Sequence, residues 1–254
     1  MVPLRKPLQG LSNIVRFNWH FYLIALATAL ALSVIGAVGP PAFRSYAIAL
    51  LLLLLASVLT SLAVSAYVYD FSDLYRLTWL PATSPAHPTV LTVNAGFDEI
   101  SALLQHKYAP SHLLAFDFYD PARHTEVSIR RARRAYLPFP GTRAVDTRGA
   151  LPLPDDSVDL AFAFLAAHEI RDANERAAFF REIGRVVKPT GLVVVTEHLR
   201  DTANFLAYNV GFFHFHSRRA WLATFQQAGL RVRQQIRITP FITAFILSPH
   251  GSAA

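Results

Sequence analysis

The chain has 254 residues, 53% of them hydrophobic and only 16% charged, a balance too apolar for an ordinary soluble protein and a length that suits one large domain with an appendage. Its formal charge of +7 divides unevenly: residues 1 to 69 hold Arg5, Lys6, Arg16 and Arg44 with no acidic residue, and the remainder sets 20 Lys and Arg against 17 Asp and Glu. The absence of Cys excludes disulfides, zinc thiolates and thiol nucleophiles, and no basic run interleaved with aromatics offers a groove for nucleic acid.

Residues 1 to 18 form a basic, aromatic leader. Trp19 to Val38 then carries no Asp, Glu, Lys or Arg, Gly39 with Pro40 and Pro41 breaks the run, and Ser45 to Val68, centred on Leu50 to Leu55, is again uncharged. At about 1.5 Å per residue each run can cross a hydrocarbon layer of roughly 30 Å. Two consecutive full-length runs argue against a cleaved signal peptide. Residues 1–69 are therefore expected to be a leader and two transmembrane helices, about 19–38 and 45–68, anchoring the protein in the bilayer with Trp19, Tyr22, Tyr46, Tyr67 and Tyr69 near the interfaces. Basic residues precede the first span and only Arg44 lies between the two, so the positive-inside bias puts the N-terminus and everything after Asp70 in the cytoplasm, at the inner (cytoplasmic) membrane, as a multi-pass protein.

Residues 70–88, with Trp79, Pro81, Pro85 and Pro88, read as an extended, partly interfacial connector. From Thr89 strands and helices alternate. Thr89 to Val93 is a first strand, Asp98 to Tyr108 a helix, Leu113 to Phe116 a second strand ending at Asp117, and His124 to Ala135 a helix on which Arg130 to Arg134 reads as a solvated face. Ala144 to Asp146 is an edge strand. Turn chemistry from Leu151 to Asp159 leads into Leu160 to Leu165, a run with the length of a strand buried on both faces. Apolar residues at helical spacing (Ala177, Phe180, Ile183, Val186, Val187) follow, Pro189 and Gly191 stop them, and Leu192 to Thr196 is a β-branched strand ending at Glu197. Strand, helix and strand make one parallel crossover unit. Asn204 to His216 is dense in aromatics, Ser217 to Ala228 is a helix closed by Gly229, and Arg231 to Thr239 with Phe241 to Leu247 reads as a closing antiparallel pair. Residues 89–248 are thus an α/β domain, a doubly wound sheet with helices on both faces.

Four stretches in this order carry a resemblance: Val90 to Gly96, Asp117 after the second strand, Asp146 before the Leu-Pro-Leu-Pro-Asp-Asp-Ser-Val-Asp loop, and Glu182 to Gly191 with its Arg-Val-Val-Lys-Pro-Thr-Gly turn. The domain resembles the class I S-adenosylmethionine-dependent methyltransferases, in particular the type 11 group that includes the ubiquinone and menaquinone C-methyltransferases. The resemblance implies a Rossmann-like sheet of seven strands and S-adenosylmethionine as cofactor. It assigns the loop Asn94, Ala95 and Gly96 to the approach to the cofactor, Asp117 to the ribose hydroxyls and Asp146 to the adenine side. Against the family's Gly-x-Gly-x-Gly, Asn94 stands at the first glycine, Gly96 at the second and Asp98 at the third, and Thr92 replaces the preceding acid. Asn tolerates positive φ, so Asn94 is expected to keep the turn, and Phe97 and Asp98 add bulk and charge where the methionine end would lie.

Catalytic candidates follow from position. His168 and Glu169 come after the fourth strand and Glu197 and His198 after the fifth, so both pairs are expected to open onto one cleft, where an imidazole with a carboxylate can remove a proton from an acceptor before methyl transfer. His214 and His216 lie two apart among aromatics with no third ligand evident, and no metal is expected. The aromatic run from Asn204 to Phe215 suits a lid or an apolar substrate wall near the bilayer. These readings point to a membrane-anchored methyltransferase of an apolar acceptor, such as a quinone, prenyl or sterol-like lipid. The degenerate glycine loop keeps a second reading open: an inactive subunit or scaffold of a membrane protein complex.

Overall fold

Strands that are apolar on both sides need a helical layer on each face, and the alternation of side chains along them decides which residue meets which layer. The computed structural model describes residues 5–80, 87–109 and 111–249; Pro81 and Pro85 of the expected connector lie outside them. Seven strands form one sheet: β1 (Thr89–Asn94), β2 (His112–Asp117), β3 (Arg143–Ala144), β4 (Val158–Phe164), β5 (Val187–His198), β6 (Leu230–Arg237) and β7 (Ile242–Pro249). Their order is β3-β2-β1-β4-β5-β7-β6. The first five run parallel, and β7 pairs antiparallel with both β5 and β6. The doubly wound, seven-stranded sheet expected from the sequence is the one observed.

Leu91, Val93, Phe116, Ala161, Ala163, Val193, Val195 and Phe245 pack on one face beneath α6 (Ala173–Val186) and α8 (Arg218–Gln227), with Phe179, Phe180, Ile183, Trp221 and Phe225 as the helical side of that core. Val90, Leu160, Phe162, Val194, Ile242 and Ile246 face the other way, against Leu104 of α4 (Ser101–Lys107) and against Val68, Leu74, Leu77 and Leu80. The last three leucines correct the expectation of an extended connector. Residues 72–80 do not stand off the domain, because these leucines complete the second core. Helix starts follow side-chain chemistry: Asp172 accepts from Glu175 N–H at the start of α6, and Ser217 accepts from Ala220 N–H at the start of α8.

Ahead of the domain lie α1 (Gln9–Phe17), α2 (Trp19–Val38) and α3 (Pro41–Ala66), the last continued by a π turn over Tyr67–Phe71. No residue of α2 is buried, and α3 buries only Ala47 and Ser65, so neither is a core helix of the domain. From Pro41 to Phe71 the second apolar element runs 31 residues, about 46 Å, which exceeds a hydrocarbon layer by several turns. Its far end is fixed to the domain through Val68, which is fully buried. Asp70 reaches back to the start of α1 and accepts from Gly10 N–H and Leu11 N–H, both at 2.8 Å, satisfying donors that α1 cannot satisfy itself. Gly10 permits this approach, because a Cβ there would lie 2.3 Å from Tyr69 Cβ.

Candidate active site

At the carboxyl ends of the parallel strands, Asn94 and Asp117 stand side by side in register. Asn94 is still on β1, and its Oδ1 accepts from Gly96 N–H at 3.2 Å. The left-handed residue of the turn is Gly96, with φ +89, and not Asn94 as expected, because the strand pairing holds Asn94 extended. Asp98 lines the cleft, but one of its oxygens is engaged elsewhere: Oδ1 accepts from Ile100 N–H and Ser101 N–H at the start of α4. Phe97 packs edge-on against Phe17 of α1, ring centroids 5.7 Å apart, and at a tilt against Tyr136, at 5.1 Å. Buried Thr92, at the position of the family's acid, pairs with Ser101 instead.

Asp117 uses one oxygen to accept from Tyr119 N–H, as a turn-forming Asp does, and the other to pair with Arg133 of α5 (Val127–Ala135). The Arg133 guanidinium also covers the Tyr119 ring, 4.4 Å from its centroid, and lies where a Cβ on Gly96 would meet it at 2.9 Å. What remains between Asn94, Gly96, Phe97, Asp117, Arg133 and Tyr136 is a cleft of about 50 Å³. In the sequence Arg133 belongs to a solvated run, and nothing there marks it as the partner of Asp117. Asp146 is exposed and accepts from Arg148 N–H, outside this cleft.

The residues fit S-adenosylmethionine in kind. Asp117 ends its strand as the ribose-binding acid of the family does, Gly96 allows close approach, and Asn94 Nδ2 and Asp98 Oδ2 are buried without a hydrogen-bond partner among the described residues. Room for the nucleoside requires the Arg133 side chain, 40% exposed, to swing out.

Beyond Phe97 and Ala95 the same sheet edge opens into a cavity of about 690 Å³. His168 and Glu169, on a 3-10 turn (Ala167–Glu169) after β4, line it together with His214, from a 3-10 turn (Asn209–His214) after α7 (Thr202–Tyr208). The fully buried Glu197 lies 2.6 Å from His168 Nδ1 and also accepts from His168 N–H. Burial works against the charged form of His168, but the carboxylates of Glu197 and Glu169 outweigh it and push its pKa up to about 10. Burial likewise opposes the ionised form of Glu169, yet hydrogen bonds from His168 and His214 hold its pKa well below the usual carboxylate range. For His214, the bonds to Glu126 and Glu169 overcome burial and raise its pKa. The opposite wall is helical, with Ile14 of α1, Ala25 of α2 and Ser61 of α3 among its residues.

His198 does not share this cleft. It follows Glu197 on β5, and consecutive strand residues point to opposite faces, a signal the sequence itself contained. His198 is buried between the Tyr69 hydroxyl, 2.7 Å from Nε2, and Asn204 Oδ1, 2.9 Å from Nδ1, and stacks on Phe215. Burial lowers its pKa to about 4. His214 and His216 also part company: His216 Nε2 faces Arg176 at 3.1 Å and its ring abuts Trp221. The aromatic run from Asn204 to Phe215 lies along the hairpin, with Asn209 Nδ2 donating to Ser57 Oγ at 2.8 Å and Phe205, Leu206, Val210 and Phe213 exposed.

Residues 91–195 match the family described as methyltransferase domain. The chain is similar to a S-adenosylmethionine-dependent methyltransferase from Aquifex aeolicus, at 17% identity and a TM-score of 0.51 over 72% of this chain and 92% of that one. It is also similar to a Haloferax volcanii structure described as a complex between the Trm112 methyltransferase activator and a methyltransferase, at 17% identity and a TM-score of 0.50 over 77% of this chain and 98% of that one. No curated protein matches the chain. At such identities the structural likeness speaks for the fold, and with the methyltransferase-domain match over residues 91–195 and the observed strand order, the sheet that follows the helical hairpin has the Rossmann-like fold of the class I S-adenosylmethionine-dependent methyltransferases.

Proposed function

We propose that this protein is a membrane-anchored methyltransferase that uses S-adenosylmethionine and takes an apolar or lipid-like acceptor, of the quinone, prenyl or sterol kind, in the cavity between its hairpin and its domain. That cavity carries the reading: it holds about 690 Å³, its walls are mostly apolar, and it joins the two apolar helices directly to His168 and Glu169. Phe97 lines both it and the cleft beside Asp117, so the methyl donor and the acceptor meet across one ring. Apolar helices of 20 and 31 residues, the first with no buried residue and the second with few, support a membrane anchor. Contacts of Tyr136 with Asn13 and of Arg131 with the Phe17 carbonyl support a common side of the bilayer for the N-terminus and the domain, and the basic leader favours the cytoplasmic side.

When bound, the cofactor supplies an electrophilic methyl group. Asp117 and the loop Asn94 to Gly96 hold it, with Asp146 toward the adenine. His168, kept protonated by its carboxylate neighbours, is not the proton acceptor expected from position. Its role is to donate from Nε2 to an acceptor oxygen and stabilise the oxyanion left once that oxygen's proton has passed to solvent, while Glu197 fixes the ring.

The test uses full-length protein in lipid nanodiscs with methyl-labelled cofactor and a membrane lipid extract. Label should pass into the organic phase, and Ser61→Trp, which fills the cavity, should abolish that transfer while leaving cofactor affinity unchanged. Transfer unaffected by Ser61→Trp would exclude the cavity as the acceptor site. The scaffold reading draws on one observation, the Arg133 to Asp117 ion pair that closes the cofactor cleft. Calorimetry separates the two, since binding at 100 times the dissociation constant stabilises by about 2.7 kcal/mol and a scaffold gains nothing.

A further inference from the structure

His168 and His214 are arranged alike. Each ring presents Nδ1 to a carboxylate, Glu197 at 2.6 Å for His168 and Glu126 at 2.7 Å for His214. Each then directs Nε2 at the same atom, Glu169 Oε1, at 3.3 Å and 3.0 Å. One candidate ligand atom from each of His168, Glu169 and His214 lies within 4.8 Å of the others. Donor atoms bound tetrahedrally to one ion at about 2.0 to 2.2 Å stand roughly 3.3 to 3.6 Å apart, and the two His–Glu169 pairs, at 3.3 Å and 3.0 Å, lie close to that spacing. A carboxylate on the far nitrogen of a ligating histidine is also the usual way its tautomer and direction are set, and both histidines have one.

We propose that His168, Glu169 and His214 form a binding site for a divalent first-row transition ion, Zn²⁺ among them, with Glu197 and Glu126 as positioning residues. Two imidazoles favour such an ion over Mg²⁺ or Ca²⁺, which take oxygen ligands. Three protein ligands leave a coordination position open, and all three line the apolar cavity. Arg171 rests against the His214 ring and, with a side chain 44% exposed, can leave as the ion enters. With the ion bound, Nε2 of His168 is a ligand and no longer a donor, so the ion would replace it in stabilising an acceptor oxygen at the open position; that use rests on the function proposed above, whereas ion binding does not.

The test measures Zn²⁺ and Co²⁺ on full-length protein purified without a histidine tag in detergent, stripped with chelator and equilibrated by dialysis. One equivalent of Zn²⁺ per chain is expected, together with the visible absorption bands of protein-bound Co²⁺ and a melting temperature that Zn²⁺ raises and chelator lowers. His214→Ala and Glu169→Gln should weaken Zn²⁺ binding by at least 100-fold, Glu126→Gln by about 10- to 100-fold, and the exposed His112→Ala not at all. Less than half an equivalent on wild-type protein, or His214→Ala binding like wild type, overturns the site. If the ligand variants fail to fold, the wild-type stoichiometry and Co²⁺ spectrum decide alone. Bound ion without methyl transfer would break the proposed function and leave the site standing; methyl transfer with no bound ion would do the reverse.

Discussion

The carboxyl edge of the sheet holds two openings separated by Phe97, and they are built on opposite principles. Beside Asp117 the cleft is about 50 Å³ and closed by an ion pair between two polar side chains of the domain. Beside His168 the cavity is about 690 Å³ and held apart by helices that the domain borrows from the hairpin. A partly exposed ion pair contributes on the order of 1 kcal/mol or less, so the first opening can be switched by a competing ligand. Buried packing at Val68, Leu74 and Leu77 cannot be undone so cheaply, and the second opening is permanent. On the function proposed above, one edge of one sheet would therefore offer an adjustable site for a soluble cofactor and a fixed one for an apolar acceptor.

The largest expected effect strikes the permanent side. Glu197→Ala removes the buried carboxylate that holds His168 and should destabilise the protein by about 3 to 5 kcal/mol, read from denaturant unfolding in detergent. A loss below about 1 kcal/mol would show that the His168 pair does not brace this end.

The next concerns the joint between hairpin and domain. His198 binds its proton near 6.5 when unfolded and near 4 when folded, so its contribution is complete above about pH 6.5 and is lost as pH falls toward 4, by up to about 3 kcal/mol. Melting temperatures from pH 7 to 4.5 should fall more steeply for the wild type than for His198→Asn. Equal slopes would mean that the buried ring is not kept neutral by the fold.

On the adjustable side the effects are smaller. Asp117→Ala should weaken cofactor binding at least tenfold by calorimetry, through loss of charge-assisted hydrogen bonds worth about 1.5 to 3 kcal/mol each, without unfolding the domain. Smallest, and of opposite sign, Arg133→Ala should tighten cofactor binding by about three- to fivefold, since it removes a competitor worth no more than about 1 kcal/mol. Weaker binding in that variant would make Arg133 a ligand of the cofactor and erase the contrast between the two openings.

The amino-acid sequence alone determined the parts of this protein that neighbours in the chain decide. Uncharged runs of membrane-crossing length became α2 and α3, the alternation of strand and helix became the doubly wound sheet, and the acid after β2 emerged beside the loop after β1. Side-chain period and turn chemistry are local, so they are legible in one dimension. Tertiary structure alone decided how the site is composed. Residues 70–88 read as an extended link by Pro81, Pro85 and Pro88, yet core packing folded Leu74, Leu77 and Leu80 against the sheet. His214 joined Glu169 across 45 residues, and Arg133 reached Asp117 across 16. Contacts of that kind depend on strand register and on where helices dock, and no periodicity along the chain records which side chains will converge once the sheet has closed.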